Sequence, residues 1–201
     1  MKIIELILDE ENEDNGISAI SLVENPAIEE NWVALKSDEV KLAEIDKEKR
    51  LLLGAALTPN KPIYRKGPEG SDDYYIFFSK DTVRKASQLF FKKGNQNNAT
   101  LEHNVDLEGL TVVESWIVED SKTDKSALYG MELPEGTWAV SMKVNSDEVW
   151  NEYVKKGKVK GFSIEAFFTD KMERPKDKTI KEEAEASALV EQISKILKNE
   201  A

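Results

Sequence analysis

The 201-residue chain has no cysteine and one histidine. A thiol nucleophile, a disulfide framework and a cysteine zinc site are excluded, and so is a histidine-rich metal site. Positive charge is also scarce: 28 Lys and Arg against 39 Asp and Glu give a net charge of −11. A nucleic-acid binder needs a basic face to offset phosphate, and an anionic membrane surface repels an acidic chain. Long apolar runs are missing as well. The run at the start, Met1 to Leu8, is interrupted by Glu5 and followed by Asp9, Glu10, Glu11, Glu13 and Asp14. A secretory leader needs a longer apolar core, and a membrane helix needs about 20 apolar residues. The expectation is a cytoplasmic protein that binds neither nucleic acid nor membrane. What remains, 40% apolar and 33% charged residues, describes a globular domain with an exposed charged element.

Along the chain, residues 2–8, Ile17 to Val23, Leu51 to Leu57 and Tyr74 to Phe78 read as strands, bounded by acidic, proline or glycine segments. Residues 28–50 read as a charged, partly helical connector, and 60–73 as a loop. Ser79 caps a helix whose Val83, Ala86, Leu89 and Phe90 fall at helical spacing. Thr100 to His103 is a strand end, and Leu110 to Val118 a strand followed by a charged turn. Ala127 to Leu133 and Thr137 to Val144 suggest a hairpin about Pro134-Glu135-Gly136. Ser146 caps a short helix that Gly157 ends, and Val159 to Phe168 is the last strong strand. Residues 169–183 are mostly charged, and beyond them Leu189, Ile193, Ile196 and Leu197 form one helical stripe. The pattern does not alternate as a βαβ array does. It predicts an α+β domain over 1–171, a mainly antiparallel sheet or barrel flanked by short helices, and a linker with an amphipathic helix over 172–201.

Candidate chemistry centres on three residues. His103 is the one imidazole, the usual proton acceptor for a weak nucleophile near neutral pH. Ser163, in Gly161-Phe162-Ser163-Ile164-Glu165, follows a glycine that leaves room for a substrate carbonyl. The segment is not a Gly-x-Ser-x-Gly elbow, because Glu165 stands where the second glycine belongs. Most strand serines and most lone histidines are structural, so neither residue is decisive alone. Glu165 shares a strand face with Ser163, about 6.5–7 Å along it. It could orient His103 or be a charged residue at a barrel mouth; Glu114 and Glu119 are weaker candidates. Trp116, Trp138 and Trp150 read as core or groove aromatics. The Asp9 to Asp14 run lacks the glycine and the spaced glutamate of a calcium loop.

Four segments occur in order: Thr100-Leu101-Glu102-His103-Asn104, Val112 to Asp120, Gly136 to Val144, and Val159 to Glu165. Together they resemble the XkdF-like family of phage serine proteases, relatives of the head-maturation (prohead) proteases, over roughly residues 1–170. The resemblance implies an assemblin-like β-barrel with helices around it. It implies a serine endopeptidase with His103 and Ser163 as catalytic residues and no metal or cofactor. It also implies packaging inside the procapsid in the host cytoplasm, with phage capsid and scaffold proteins as partners. Assemblin-like enzymes gain activity on dimerisation, so a homo-oligomer belongs to the same expectation. One departure stands out. In the wider prohead group the third catalytic residue follows the serine, on a strand reading acid-Val-Ser-Leu-Val and ending in Pro-Ala. Here Ala19-Ile20-Ser21-Leu22-Val23, followed by Pro26-Ala27, lies near the N-terminus, as in a circular permutation, and Ala19 occupies the acid's place. The third member is then either absent, leaving a Ser–His dyad, or supplied by another residue such as Glu165. A non-catalytic virion or scaffold-like protein that keeps the fold is the alternative. The expected arrangement puts His103 and Ser163 on neighbouring strands, with Ile17 to Val23 beside the serine strand.

Overall fold

The computed structural model describes residues 2–9, 15–26, 33–35, 49–67 and 72–171. In chain order the strands are β1 (Lys2–Ile7), β2 (Gly16–Val23), β3 (Val33–Leu35), β4 (Leu51–Leu57), β5 (Ile63–Arg65) and β6 (Tyr74–Phe78). Helix α1 (Lys80–Lys92) follows, then β7 (Ala99–Leu101), β8 (Val105–Leu107), β9 (Leu110–Ile117), β10 (Trp138–Val144), β11 (Gly161–Phe167) and β12 (Thr169–Lys171). Between β10 and β11 a short helix, Asp147–Val149, runs on as a wider π turn, Trp150–Val154.

The strands form three four-stranded sheets with the orders β12-β1-β6-β5, β3-β4-β10-β9 and β11-β2-β7-β8. The expected barrel is therefore corrected: the described strands do not close on themselves. Nor is the pairing purely antiparallel, because β1–β6 and β2–β7 are parallel. Parallel neighbours need long crossovers. The crossover from β2 to β7 runs from Val23 to Ala99 and contains a whole sheet edge and α1. Ile63–Arg65 is a strand where a loop was expected, pinned by Tyr64, whose hydroxyl donates to Asp73 Oδ2 at 2.5 Å and whose ring meets Tyr75 edge-on. The connector over 28–50 contains β3; the rest of it lies outside the described residues. The 127–133 arm of the expected hairpin is instead a 3-10 turn over Lys125–Tyr129, and β10 pairs with β9 and β4. There the Asp124 carboxylate accepts from the Ser126 N–H, which starts the turn and competes with extension.

The core lies between the sheets and α1. β4 is an apolar run and β10 is one broken by Ser141 and Lys143, and Leu52, Leu53, Leu57, Val140 and Met142 are buried. Ser79 caps α1 by accepting from the Thr82 N–H, and Phe90, on the buried face, meets Trp138 edge-on with ring centroids 5.3 Å apart. Gly16 starts β2 at φ +114°, where a side chain would be strained and a Cβ would come within 2.9 Å of Leu89. This close approach sets β2 directly beneath α1. No helix among the described residues is long and apolar enough to cross a membrane. The tail expected from residue 172, with its amphipathic helix, lies outside the described residues.

Candidate active site

The site forms on the sheet β11-β2-β7-β8. In its register Ser163 lies opposite Ser21, and Ser21 lies beside Thr100, so three hydroxyl side chains form a row across β11, β2 and β7 on one face. One step along that face, Glu165 lies opposite Ala19. As expected, β2 is the direct neighbour of the serine strand. His103, however, is not on a neighbouring strand to Ser163, because β2 runs between β11 and β7. His103 sits in the turn that leaves β7.

That turn is unusual. Glu102 and His103 both have positive φ, +49° and +58°, and the Asn104 N–H donates to Leu101 O at 3.0 Å. Two consecutive positive-φ residues mark a type I′ hairpin turn, which joins β7 to β8. Each non-glycine residue held there costs about 1–3 kcal/mol and persists only where its surroundings over-determine it. The surroundings do so here. The Glu102 N–H donates to Leu22 O at 3.0 Å, and the Glu24 N–H donates to Glu102 Oε1 at 2.6 Å. The His103 N–H donates to Ser21 Oγ at 3.0 Å, and the Asn104 amide donates to Glu102 O at 2.6 Å. Ser21 is fully buried and passes its own hydroxyl proton toward Thr100 O at 3.4 Å.

The turn folds the imidazole back over the hydroxyl row. His103 Nδ1 lies 3.5 Å from Glu165 Oε1, and the same carboxylate oxygen accepts a short hydrogen bond from Thr100 Oγ1. Glu165 thus reaches from β11 across Ala19 on β2 to β7. A Ser18 hydroxyl donated to Glu165 O at 3.1 Å holds the β2–β11 pair where its register shifts. The His103 side chain is 41% exposed and the Glu165 side chain 30%, so a peptide can reach the ring. With Nδ1 turned to a carboxylate, Nε2 is the nitrogen left for a hydroxyl. The described contacts of the His103 ring do not include a hydrogen bond to Ser163 Oγ.

The weaker acid candidates lie elsewhere. Glu114, on β9, accepts from Lys125 Nζ and from buried Ser141 Oγ, each at 2.5 Å. These two bonds, Lys125 first, hold its carboxyl below the usual carboxylate range against the opposing effect of burial. Glu119 pairs with Arg84 at 3.3 Å. Of the tryptophans, Trp138 and Trp150 are buried, while Trp116 is half-buried and donates to Asp124. No group of three or more His, Asp or Glu among the described residues could hold a metal ion. The acidic run through Asp14 lies largely outside those residues.

Sequence reasoning missed Ser21 as the anchor of His103 and Thr100 as the partner of Glu165. Both stand in segments that carried the resemblance, but strand register alone puts them in the site. It also missed the cavity behind β11. This space of about 300 Å³ is walled by Leu6, Ile63, Ile76, Phe78, Phe162 and Ile164, with Ser163 and Arg65 at its lining.

No curated protein and no solved structure matches the chain. Residues 39–173 match the family described as "putative phage serine protease XkdF". The match takes in His103, Ser163, Glu165 and Thr100 and leaves β2, with its Ser21, outside. Spanning more than half of the sequence, it places the chain in the XkdF family of phage serine proteases.

Proposed function

We propose that the protein is a head-maturation serine endopeptidase that cuts scaffold and capsid proteins inside the phage procapsid. The observation that carries the reading is the 3.5 Å approach of His103 Nδ1 to Glu165, on the sheet face that also holds Ser163. Glu165 accepts a hydrogen bond from Nδ1–H and fixes the ring, so that Nε2 serves as the base. Ser163 Oγ attacks the peptide carbonyl as its proton passes to Nε2. The imidazolium then gives that proton to the leaving amine as the C–N bond breaks, which leaves an acyl-enzyme on Ser163. Water adds to the acyl carbonyl, losing a proton to Nε2, and Ser163 departs reprotonated. The carboxylate stabilises the imidazolium in both halves. Serine–histidine contacts are often loose without substrate and tighten on binding, in keeping with the absence of a Ser163–His103 hydrogen bond among the described residues.

The place of β2 beside β11 supports a permuted assemblin-like arrangement, in which the strand that follows the serine strand in other prohead proteases precedes it in this chain. Ala19 holds the acid's position on that strand, and Glu165, directly opposite, supplies the carboxylate from the other side of the pair. A second reading, a structural virion protein that retains the fold, draws on Ala19 and on the absence of a Ser163–His103 hydrogen bond among the described residues. Incubating the wild-type chain and Ser163→Ala with the cognate capsid and scaffold proteins separates the two. The protease reading expects discrete fragments from the wild type alone; intact partners in both reactions would favour the structural reading.

A further inference from the structure

Thr100 is held from both sides. It pairs in parallel with Ser21 on β2 and antiparallel with Asp106 on β8, so β7 has a neighbour on each edge at this position. The Ser21 hydroxyl donates to Thr100 O at 3.4 Å and accepts the His103 N–H at 3.0 Å. One buried hydroxyl thus ties the backbone of Thr100 to that of His103. Thr100 is itself buried, and as a β-branched residue its side chain is stiff.

Glu165 lacks these constraints. Its side chain has several rotatable bonds, is 30% exposed and passes over Ala19, whose methyl group offers no donor. The contacts of its carboxylate among the described residues converge on one oxygen. Oε1 accepts a hydrogen bond from Thr100 Oγ1 and lies 3.5 Å from His103 Nδ1. That second distance is longer than an ordinary N–H···O bond, so the ring alone does not hold the carboxylate. A drift of about 1 Å at such a group can cost about 10²-fold in rate.

The acid comes from β11 and the imidazole from the turn that ends β7, with β2 between the two strands. The Thr100 hydroxyl joins the acid to the histidine's own strand. It is a single donor, and its proton goes to Oε1. Which nitrogen of a neutral imidazole carries the proton is set by the hydrogen bond that the ring makes. The group that places Oε1 therefore also sets the tautomer of His103.

We propose that Thr100 is the positioning residue of the site. Its hydroxyl holds Glu165 Oε1 against His103 Nδ1, keeps the neutral ring in its Nδ1–H form and so leaves Nε2 to take the serine proton. The kinetic part of this rests on the endopeptidase reading above; the tautomer does not. The chain has one histidine, so the ring nitrogens of the nitrogen-15-labelled full chain, purified without a histidine tag, report this imidazole alone. Their NMR shifts in alkaline buffer give the tautomer. The wild type should show the Nδ1–H form. Thr100→Val keeps the shape and loses the donor, and Thr100→Ala loses the donor without adding a methyl group. Both should shift the ring toward the state seen in Glu165→Ala, and Thr100→Ser should restore the wild-type signal. On a peptide that the wild type cleaves, Thr100→Val should lower kcat roughly 10- to 100-fold with little change in KM. It should cost nothing further in a Glu165→Ala background. A tautomer that neither Thr100→Val nor Thr100→Ala alters, while Glu165→Ala does, makes Thr100 a packing residue and overturns the proposal. Thr100→Ser behaving like Thr100→Val overturns it too, as does a full loss of rate in the Glu165→Ala background. A wild-type ring in the Nε2–H form overturns it together with the role of Glu165. A wild type with the Nδ1–H ring that cuts no peptide overturns the endopeptidase reading alone, because the ring signals still decide what Thr100 does.

Discussion

Ala19 lies opposite Glu165, and its small side chain leaves the gap through which the glutamate reaches Thr100 and His103. The carboxylate should therefore matter for rate rather than for binding. Glu165→Gln is expected to lower kcat by about 10²–10⁴-fold with little change in KM, read on a peptide that the wild type cleaves. Moving the acid one strand over tests the geometry further. Ala19→Asp in a Glu165→Ala background should recover about tenfold or more of the lost rate, because both positions face the same ring. Failure to recover any would place the requirement on β11 alone. At this scale the sequence singled out Ser163, His103 and Glu165 as candidates, from a lone imidazole and the ordered segments around it, and the structure brings two of them, His103 and Glu165, within 3.5 Å. Ser21 and Thr100 were not singled out. Each acts through a partner 65 or more residues away, and no local spacing encodes that.

The strand β2 is the element on which the site turns. It pairs with the serine strand on one side and with β7 on the other, and its Ser21 hydroxyl satisfies the amide of a histidine held at positive φ. Ser21→Ala leaves that amide without its partner. It should cost about 1–3 kcal/mol in urea unfolding and lower activity as the turn loses its anchor. Unchanged stability would mean that the other bonds of the turn suffice. The 3-10 turn after β9 offers a second test. Glu114 ties it to β10 through Lys125 and Ser141, and its carboxyl titrates below the usual range. A depressed folded-state pKa stabilises the fold above the unfolded value. That contribution is complete above about pH 5 and is lost as the pH falls through about 4 and below. Glu114→Gln should therefore flatten part of the fall in urea midpoint between pH 5 and pH 3. An identical fall in the variant would remove Glu114 from the acid response. Apolar periodicity and caps made α1, β2, β4, β6 and β9 legible. β5, β8 and β12 have three residues each, too few for any period to emerge, and the turn over Lys125–Tyr129 went unread because Asp124 begins it by a local side-chain bond.

At the scale of the whole molecule, the described strands form three sheets in place of the expected barrel. Sequence pattern identifies strands but says little about which strands meet, and the parallel pairs β1–β6 and β2–β7 join segments about 70 or more residues apart. The same limit kept the cavity behind β11 out of view, since strands from all three sheets wall it. β12 pairs with β1 through Lys171, which fixes where the domain can be cut. Residues 172–201 are charged and then amphipathic in sequence, and we propose that they carry the protease to scaffold or capsid protein. Truncation after Lys171 should keep the thermal melt and peptide cleavage but lower incorporation into proheads; normal packaging would make the tail dispensable. The central claim, that Ser163 is a nucleophile activated by His103, is tested most directly by reacting the purified chain with a fluorophosphonate and mapping the adduct by mass spectrometry. The account predicts a single adduct on Ser163 that disappears in His103→Ala. No adduct, an adduct on another serine, or one that persists without His103 would contradict it.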